Sequence, residues 1–260
     1  MMPLSYDRYY AEIMTQTAGI AEVVRSADRA LPVPTCPEWT LEKLARHVGR
    51  VHRWATASVT RRATEPVDPR GLDDAVPPED TEGLVSWLTT GAERVVEAVR
   101  EVGPQTPVWA WADDQSAGFW ARRMAHESLV HHADASLAVG GGLDPAPELA
   151  ADGISELLDL VASPKVRRRI PDLAELAGDG QILHLHATEP RLLTAGEWLV
   201  RRTPDGVVWE HGHDKGDVAV RGPAADLLLV LYRRLPVAES RVEILGEREL
   251  FDHWLARTAL

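Results

Sequence analysis

The chain has 260 residues, 45 % of them apolar and 26 % charged, enough for one large or two ordinary globular domains with a real core. Its formal net charge of −12 argues against nucleic acid or an anionic membrane as a partner, because both need a basic footprint. The single cysteine, Cys36, excludes an internal disulfide framework and fits a reducing cytosol, so a cytoplasmic location is expected.

The stretch MMPLSYDRYYAEIM carries charges and no apolar core, unlike a signal peptide, and no run approaches the ~18 apolar residues of a membrane span. The chain has no asparagine, and Lys43, Lys165 and Lys215 are its only lysines. That bias resembles the codon usage of a GC-rich bacterium.

In chain order, Tyr9, Ile13, Ile20, Val23 and Val24 recur at helical spacing and predict a helix over 5–29. LPVPTCPEWT, with three prolines, predicts a loop. Thr40 then serves as N-cap of a helix running to about residue 60, with Glu42 near its positive end. The Pro- and Asp-rich residues 63–80 predict a long exposed loop. A third helix covers about 81–101, and PQTPVWAWADDQS is a second loop, with Trp109 and Trp111. A fourth helix covers about 117–138 and stops at the glycine run 140–142. Four such helices predict a four-helix bundle over residues 1–145.

From 146 to 260 the pattern changes to a small α+β domain. A helix at about 147–162 precedes period-2 segments QILHLHAT, GEWLVRRT, VVWEHG and DVAVRG. An apolar helix in PAADLLLVLYRRL, a short strand RVEIL and a closing helix follow. The fold class is therefore α+β.

The informative polar cluster is "MAHESLVHHADA" at 124–135. It is not the zinc-protease motif HExxH, since position 130 is Val130. At ~100° per residue, Trp120, Met124, Glu127, His131 and Asp134 share one helix face, whereas His126 and His132 point elsewhere. Acids on a core-facing stripe are costly unless paired or metal-bound.

On the second helix His47 lies in line with Leu44, Val51 and Trp54, while His52 lies about 140° away and is expected to be exposed. His47, Glu127 and His131 can thus meet inside the bundle as two imidazoles and one carboxylate, a set that suits Zn²⁺, Ni²⁺ or Fe²⁺ and leaves coordination positions open. Asp134, one turn on, is placed to hold the other ring nitrogen of His131. The alternative is a plain i, i+4 Glu–His pair beside a core histidine bonded to a carbonyl.

Two stretches, VPTCPEWTLEKLARHVGRVHRW and AGFWARRMAHESLVHHADA, resemble the mycothiol-dependent maleylpyruvate isomerase family, whose bundle is DinB-like. LHLHAT, GEWLVRRTPDG and KGDVAVRGPAADLLLVLYRRLP resemble its C-terminal domain, which has a sterol-carrier-like look. The resemblance implies a divalent metal, usually zinc, on His47, Glu127 and His131, and mycothiol, the small-molecule thiol of actinobacteria, as cosubstrate. It also implies a functional arginine in the second domain, for which Arg233 or Arg234 is the counterpart.

The expected chemistry is a metal-stabilised thiolate acting on a small electrophile. An isomerase adds the thiolate to a cis double bond, lets the adduct rotate and expels the thiol; an S-transferase keeps the adduct. The alternatives are a non-catalytic metal- and ligand-binding module and, from the same donor set, a ferrous oxygenase. Either a monomer or a homodimer fits.

The remaining polar residues are read more plainly. Cys36 is a small residue in a turn rather than a nucleophile, and Arg122 and Arg123 are solvated. Trp109 and Trp111 cap the bundle core. His184 and His186 form a polar strand face without a third ligand, and His211 and His213 are read the same way.

Overall fold

The computed structural model describes residues 4–72 and 74–259. The first three residues of the MMPLSYDRYYAEIM stretch, Asp73 of the expected loop and the last residue of the expected closing helix lie outside them. The chain divides into two compact units, one of residues 4–143 and one that begins at Asp144.

The first unit holds four long helices: α1 Tyr6–Ser26, α2 Leu41–Thr60, α3 Thr81–Val102 and α4 Ala117–Ala138. Each starts where a side-chain oxygen takes up an otherwise unpaired backbone N–H: Ser5, Thr40, Asp80 and Ser116 accept from Arg8, Lys43, Gly83 and Phe119 respectively. Gly103, at φ 89°, ends α3 in a conformation that favours glycine. Helix α1 packs along α4 and α2 along α3. Their apolar stripes, including Ile20, Val24, Leu44, Val48, Leu84 and Leu88, close one core.

Two expectations need correction here. LPVPTCPEWT is not irregular: β1 (Pro32–Val33) pairs antiparallel with β2 (Cys36–Thr40). Proline is tolerated in so short and marginal a pair, where few ladder bonds are required of it. His52 is fully buried rather than exposed, because the deepest face of α2 runs through Leu41, Leu44, Val48 and His52. His47 consequently sits half-buried at the edge of that face. Helix α4 is buried on nearly every side, so it has no wet face.

In the second unit α5 (Pro147–Ala162) and a short α6 (Pro164–Arg169) precede a five-stranded sheet. Its strands are β3 Ile182–Ala187, β4 Glu197–Thr203, β5 Gly206–His211, β6 Val218–Gly222 and β7 Glu243–Gly246, in the order β5-β4-β3-β6-β7. Only β3 and β6 run parallel. Helix α7 (Ala224–Leu231) joins β6 to β7, and α8 (Arg248–Arg257) follows.

Period-2 alternation buries Leu183, Leu185, Trp198, Val200, Val218 and Val220. Trp198 Nε1 donates to Ser155 Oγ of α5, at 2.9 Å, which places that helix on the buried face. His184 and His186 consequently project from the other face. The helix α6 left no period long enough to be read in the sequence. No helix among the described residues is long and apolar enough to cross a membrane.

Candidate metal centre

In the first unit His47 Nε2 donates to Glu127 Oε1 at 3.0 Å, and His131 Nε2 lies 3.3 Å from the same oxygen. One ligand atom from each of these three residues falls within 4.8 Å of the others. The two histidines and the glutamate that helical geometry aligned are therefore side by side, although His47 and Glu127 are 80 residues apart.

Asp134, wholly buried, accepts from His131 Nδ1 at 2.9 Å. Its carboxylate also accepts from Thr35 Oγ1 at 2.5 Å and from the Cys36 thiol at 3.8 Å. Cys36 is thus a neighbour of Asp134, which suits its reading as a structural turn residue. Trp39, from the same CPEWT stretch, lies against both imidazoles, with ring centroids 4.7 Å from His47 and 5.8 Å from His131.

Arg123 corrects another expectation. It is buried, not solvated, and its guanidinium lies 3.4 Å from Glu127 Oε2. A burial-and-pairing role cannot be read from one helix alone, because it depends on what packs against that helix. Thr35, Trp39 and Arg123 were not among the residues singled out for the site. The signal that points to the first two is their place in PTCPEWT.

The charges follow from this packing. Burial alone would push His131 down, but its hydrogen bonds to Asp134 and Glu127 outweigh it and raise the pKa to about 9. Burial would raise Glu127, yet hydrogen bonds from His131 and His47, and the charges of His131 and Arg123, hold it well below the usual carboxylate range.

A divalent transition metal fits these residues. The donors are two imidazole nitrogens and one carboxylate oxygen, already converging, and Asp134 occupies His131 Nδ1 so that Nε2 is the nitrogen left for a ligand bond.

The other expected positions fall elsewhere. His126 is buried within ring contact of Tyr9, and His132 Nδ1 bonds Gln16 at 2.8 Å. Trp109 and Trp111 pack against Trp54, Trp120 and Phe119. Arg233 and Arg234 belong to the second unit, in the turn after α7, where Arg233 has φ 60° and the Arg234 guanidinium donates to Tyr232 O at 2.8 Å.

His184 and His186 are more than a polar strand face. Glu197 and His213 join them as a second group of possible ligands, while His211 instead donates to Glu197 O at 2.9 Å.

Comparison with known proteins places the chain in a family. Residues 10–136 match the mycothiol maleylpyruvate isomerase N-terminal domain, and residues 148–253 match the C-terminal domain of the same family. No curated protein matches the sequence significantly. Among solved structures, a mycothiol-dependent maleylpyruvate isomerase is similar at 15 % identity and a TM-score of 0.58, over 94 % of this chain and 95 % of that one. A histidine-to-alanine mutant of such an isomerase is similar at 14 % identity and 0.56, over 92 % and 93 %. At that identity the structures establish a shared fold. The two domain models together span most of the sequence, and the chain belongs to the mycothiol maleylpyruvate isomerase family.

Proposed function

We propose that this protein is a divalent-metal enzyme that uses mycothiol to isomerise a small cis-enoyl acid of the maleylpyruvate type. The observation that carries the reading is the convergence of His47 Nε2 and His131 Nε2 on Glu127 Oε1 in a member of this family. These three residues would hold the ion, with zinc the first expectation for such donors. When bound, the ion supplies a positive charge that keeps a thiol deprotonated, and therefore nucleophilic, at neutral pH.

The chain's own residues do the rest. Asp134 fixes the tautomer and orientation of His131 through Nδ1, and Thr35 and Cys36 fix Asp134. The raised pKa of His131 means that a metal bound at Nε2 would compete with a proton there, so binding should weaken as pH falls. Trp39 shields one side of both imidazoles from water. Arg123 balances the charge of Glu127 from the side away from the histidines. Arg233, exposed after α7, is the stronger of the two arginine candidates for pairing with a substrate carboxylate.

The test is thiol-dependent turnover by full-length protein purified without a histidine tag. Mycothiol with maleylpyruvate should give the trans product, and His131→Ala or a chelator should abolish it while the helical circular dichroism persists. Arg233→Ala should lower kcat/KM with metal content unchanged. Accumulation of an S-conjugate would make the protein a transferase. Mycothiol binding with no turnover of any cis-enoyl acid or electrophile would make it a binding module. Full metal content in a His47→Ala, Glu127→Ala, His131→Ala triple variant would remove the site assignment.

A further inference from the structure

We infer that the second unit carries its own metal site, formed by His184, His186, Glu197 and His213, which takes a zinc-class divalent cation in a structural role.

The site follows from strand geometry. His184 and His186 are two apart on β3 and share a face, opposite the buried Leu183 and Leu185. In the antiparallel register Glu197, the first residue of β4, stands directly across from His186. At the end of β5, His211 Nδ1 and the Gly212 N–H both donate to the Glu197 carbonyl, at 2.9 and 3.4 Å. These two bonds turn the chain back over Glu197 and deliver His213.

Three imidazoles then face a single oxygen. Glu197 Oε2 lies 3.0 Å from His184 Nε2, 2.5 Å from His213 Nδ1 and 4.0 Å from His186 Nδ1. One ligand atom from each of the four residues lies within 4.8 Å of the others. An ion at ~2.0–2.1 Å from each of four tetrahedral ligands would set those atoms about 3.4 Å apart, inside the observed spread. Imidazole nitrogens with one carboxylate suit zinc and its neighbours. Four protein ligands complete a tetrahedron, which is the mark of a structural site rather than one open to substrate.

The connection between β5 and β6 shows what such an ion would do. Its start is tied by His211 and Gly212. Its end is tied by Asp217, whose N–H donates to Ile182 O and whose carboxylate accepts from Ile182 N. Between them, Lys215 N donates to the neighbouring Asp214 side chain at 2.7 Å. A cation held by His213 would pin this middle portion to β3 and β4. A cavity of about 560 Å³ beside His184 and His213, with the His213 side chain 71 % exposed, gives the ion a route in.

The experiment uses the untagged full-length chain, stripped with a chelator, reloaded with Zn²⁺ and passed through gel filtration before metal analysis. His186→Ala/His213→Ala should bind one equivalent fewer than wild type. In a His47→Ala/His131→Ala background, Zn²⁺ should still raise Tm by several degrees, and adding the other two substitutions should abolish that shift. Unchanged stoichiometry and an unchanged Zn²⁺-dependent Tm in His186→Ala/His213→Ala would overturn the proposal.

The exposed His213→Gln alone provides a variant whose core is untouched, and it too should lose zinc on gel filtration. Co²⁺ loaded into the His47→Ala/His131→Ala protein should give a tetrahedral ligand-field spectrum, and its absence would count against the site. Because the two pairs of substitutions act on separate clusters, failure at His47 and failure at His213 are read independently.

Discussion

Asp134 is fully buried, and His131, Thr35 and Cys36 bond its carboxylate. His131 and Thr35 donate at 2.9 and 2.5 Å, and the Cys36 thiol lies at 3.8 Å. Asp134→Asn keeps the shape but removes the charge and offers His131 an ambiguous partner. Partners of this kind are worth about 10–100-fold in metal affinity. The variant should therefore fold normally and lose zinc to a competing chelator within that range. Cys36→Ala, which removes only a weak donor, should retain its zinc; loss of turnover with metal intact would instead make the thiol chemically active.

His52 carries a second prediction at this scale. It is fully buried, with Nε2 3.1 Å from Ser128 Oγ, and burial pushes its pKa from 6.5 down to about 4. Its folded pKa lies below its unfolded one, so between those values the unfolded chain binds the extra proton. Stability is thus intact above pH 6.5 and falls as pH drops towards 4. The full loss is about 3 kcal/mol from this residue. Urea midpoints between pH 7 and 4 should fall more steeply for the wild type than for His52→Gln.

At the scale of elements, α2 and α3 approach closely because Gly49 faces the Trp87 ring. A Cβ at Gly49 would lie 2.0 Å from Trp87 Cζ3. The indole has little room to yield: its Nε1 donates to Asp74 O at 3.1 Å, and the Arg53 guanidinium stacks 3.7 Å above it. Overpacking of this kind costs about 1–3 kcal/mol, against a helix-propensity gain of about 1 kcal/mol for alanine over glycine. Gly49→Ala should therefore lower Tm, whereas Gly142→Ala, which meets nothing within 4 Å, should leave it nearly unchanged.

Elements also explain which features were legible in the sequence. The start of α2 and the end of α4 could be read because caps and stops are local: Thr40 and the glycines after α4 act on their own neighbours. The alignment of Glu127, His131 and Asp134 was legible because it depends only on helical pitch. The exposure of His52 and Arg123 was not, because pitch gives a direction and not what lies there. Both side chains are buried. Glu197 and the joining of His213 to His184 and His186 were not legible for the analogous reason in a sheet: strand pairing sets Glu197 across from His186, the bonds of His211 and Gly212 to Glu197 bring His213 over it, and no spacing along the chain encodes either.

On the scale of the whole molecule, each unit closes a core of its own. Residues 4–143 bury Ile13, Leu44, Leu88 and Trp120, and the unit from Asp144 buries Leu158, Trp198, Val220 and Phe251. His47, Glu127, His131, Asp134 and Thr35 all belong to the first, whereas Arg233 and the His184 cluster belong to the second. Metal binding and catalysis should therefore separate. A fragment of residues 1–143 keeps every donor of the first site and each of the four helix caps, so it should fold, show strong helical dichroism and retain one zinc. It lacks the arginine candidates, so it should not turn over maleylpyruvate even with mycothiol present. A fragment that folds but releases its zinc would mean that the ligands' geometry depends on the missing residues, and full turnover by the fragment would exclude Arg233 and Arg234 from the reaction.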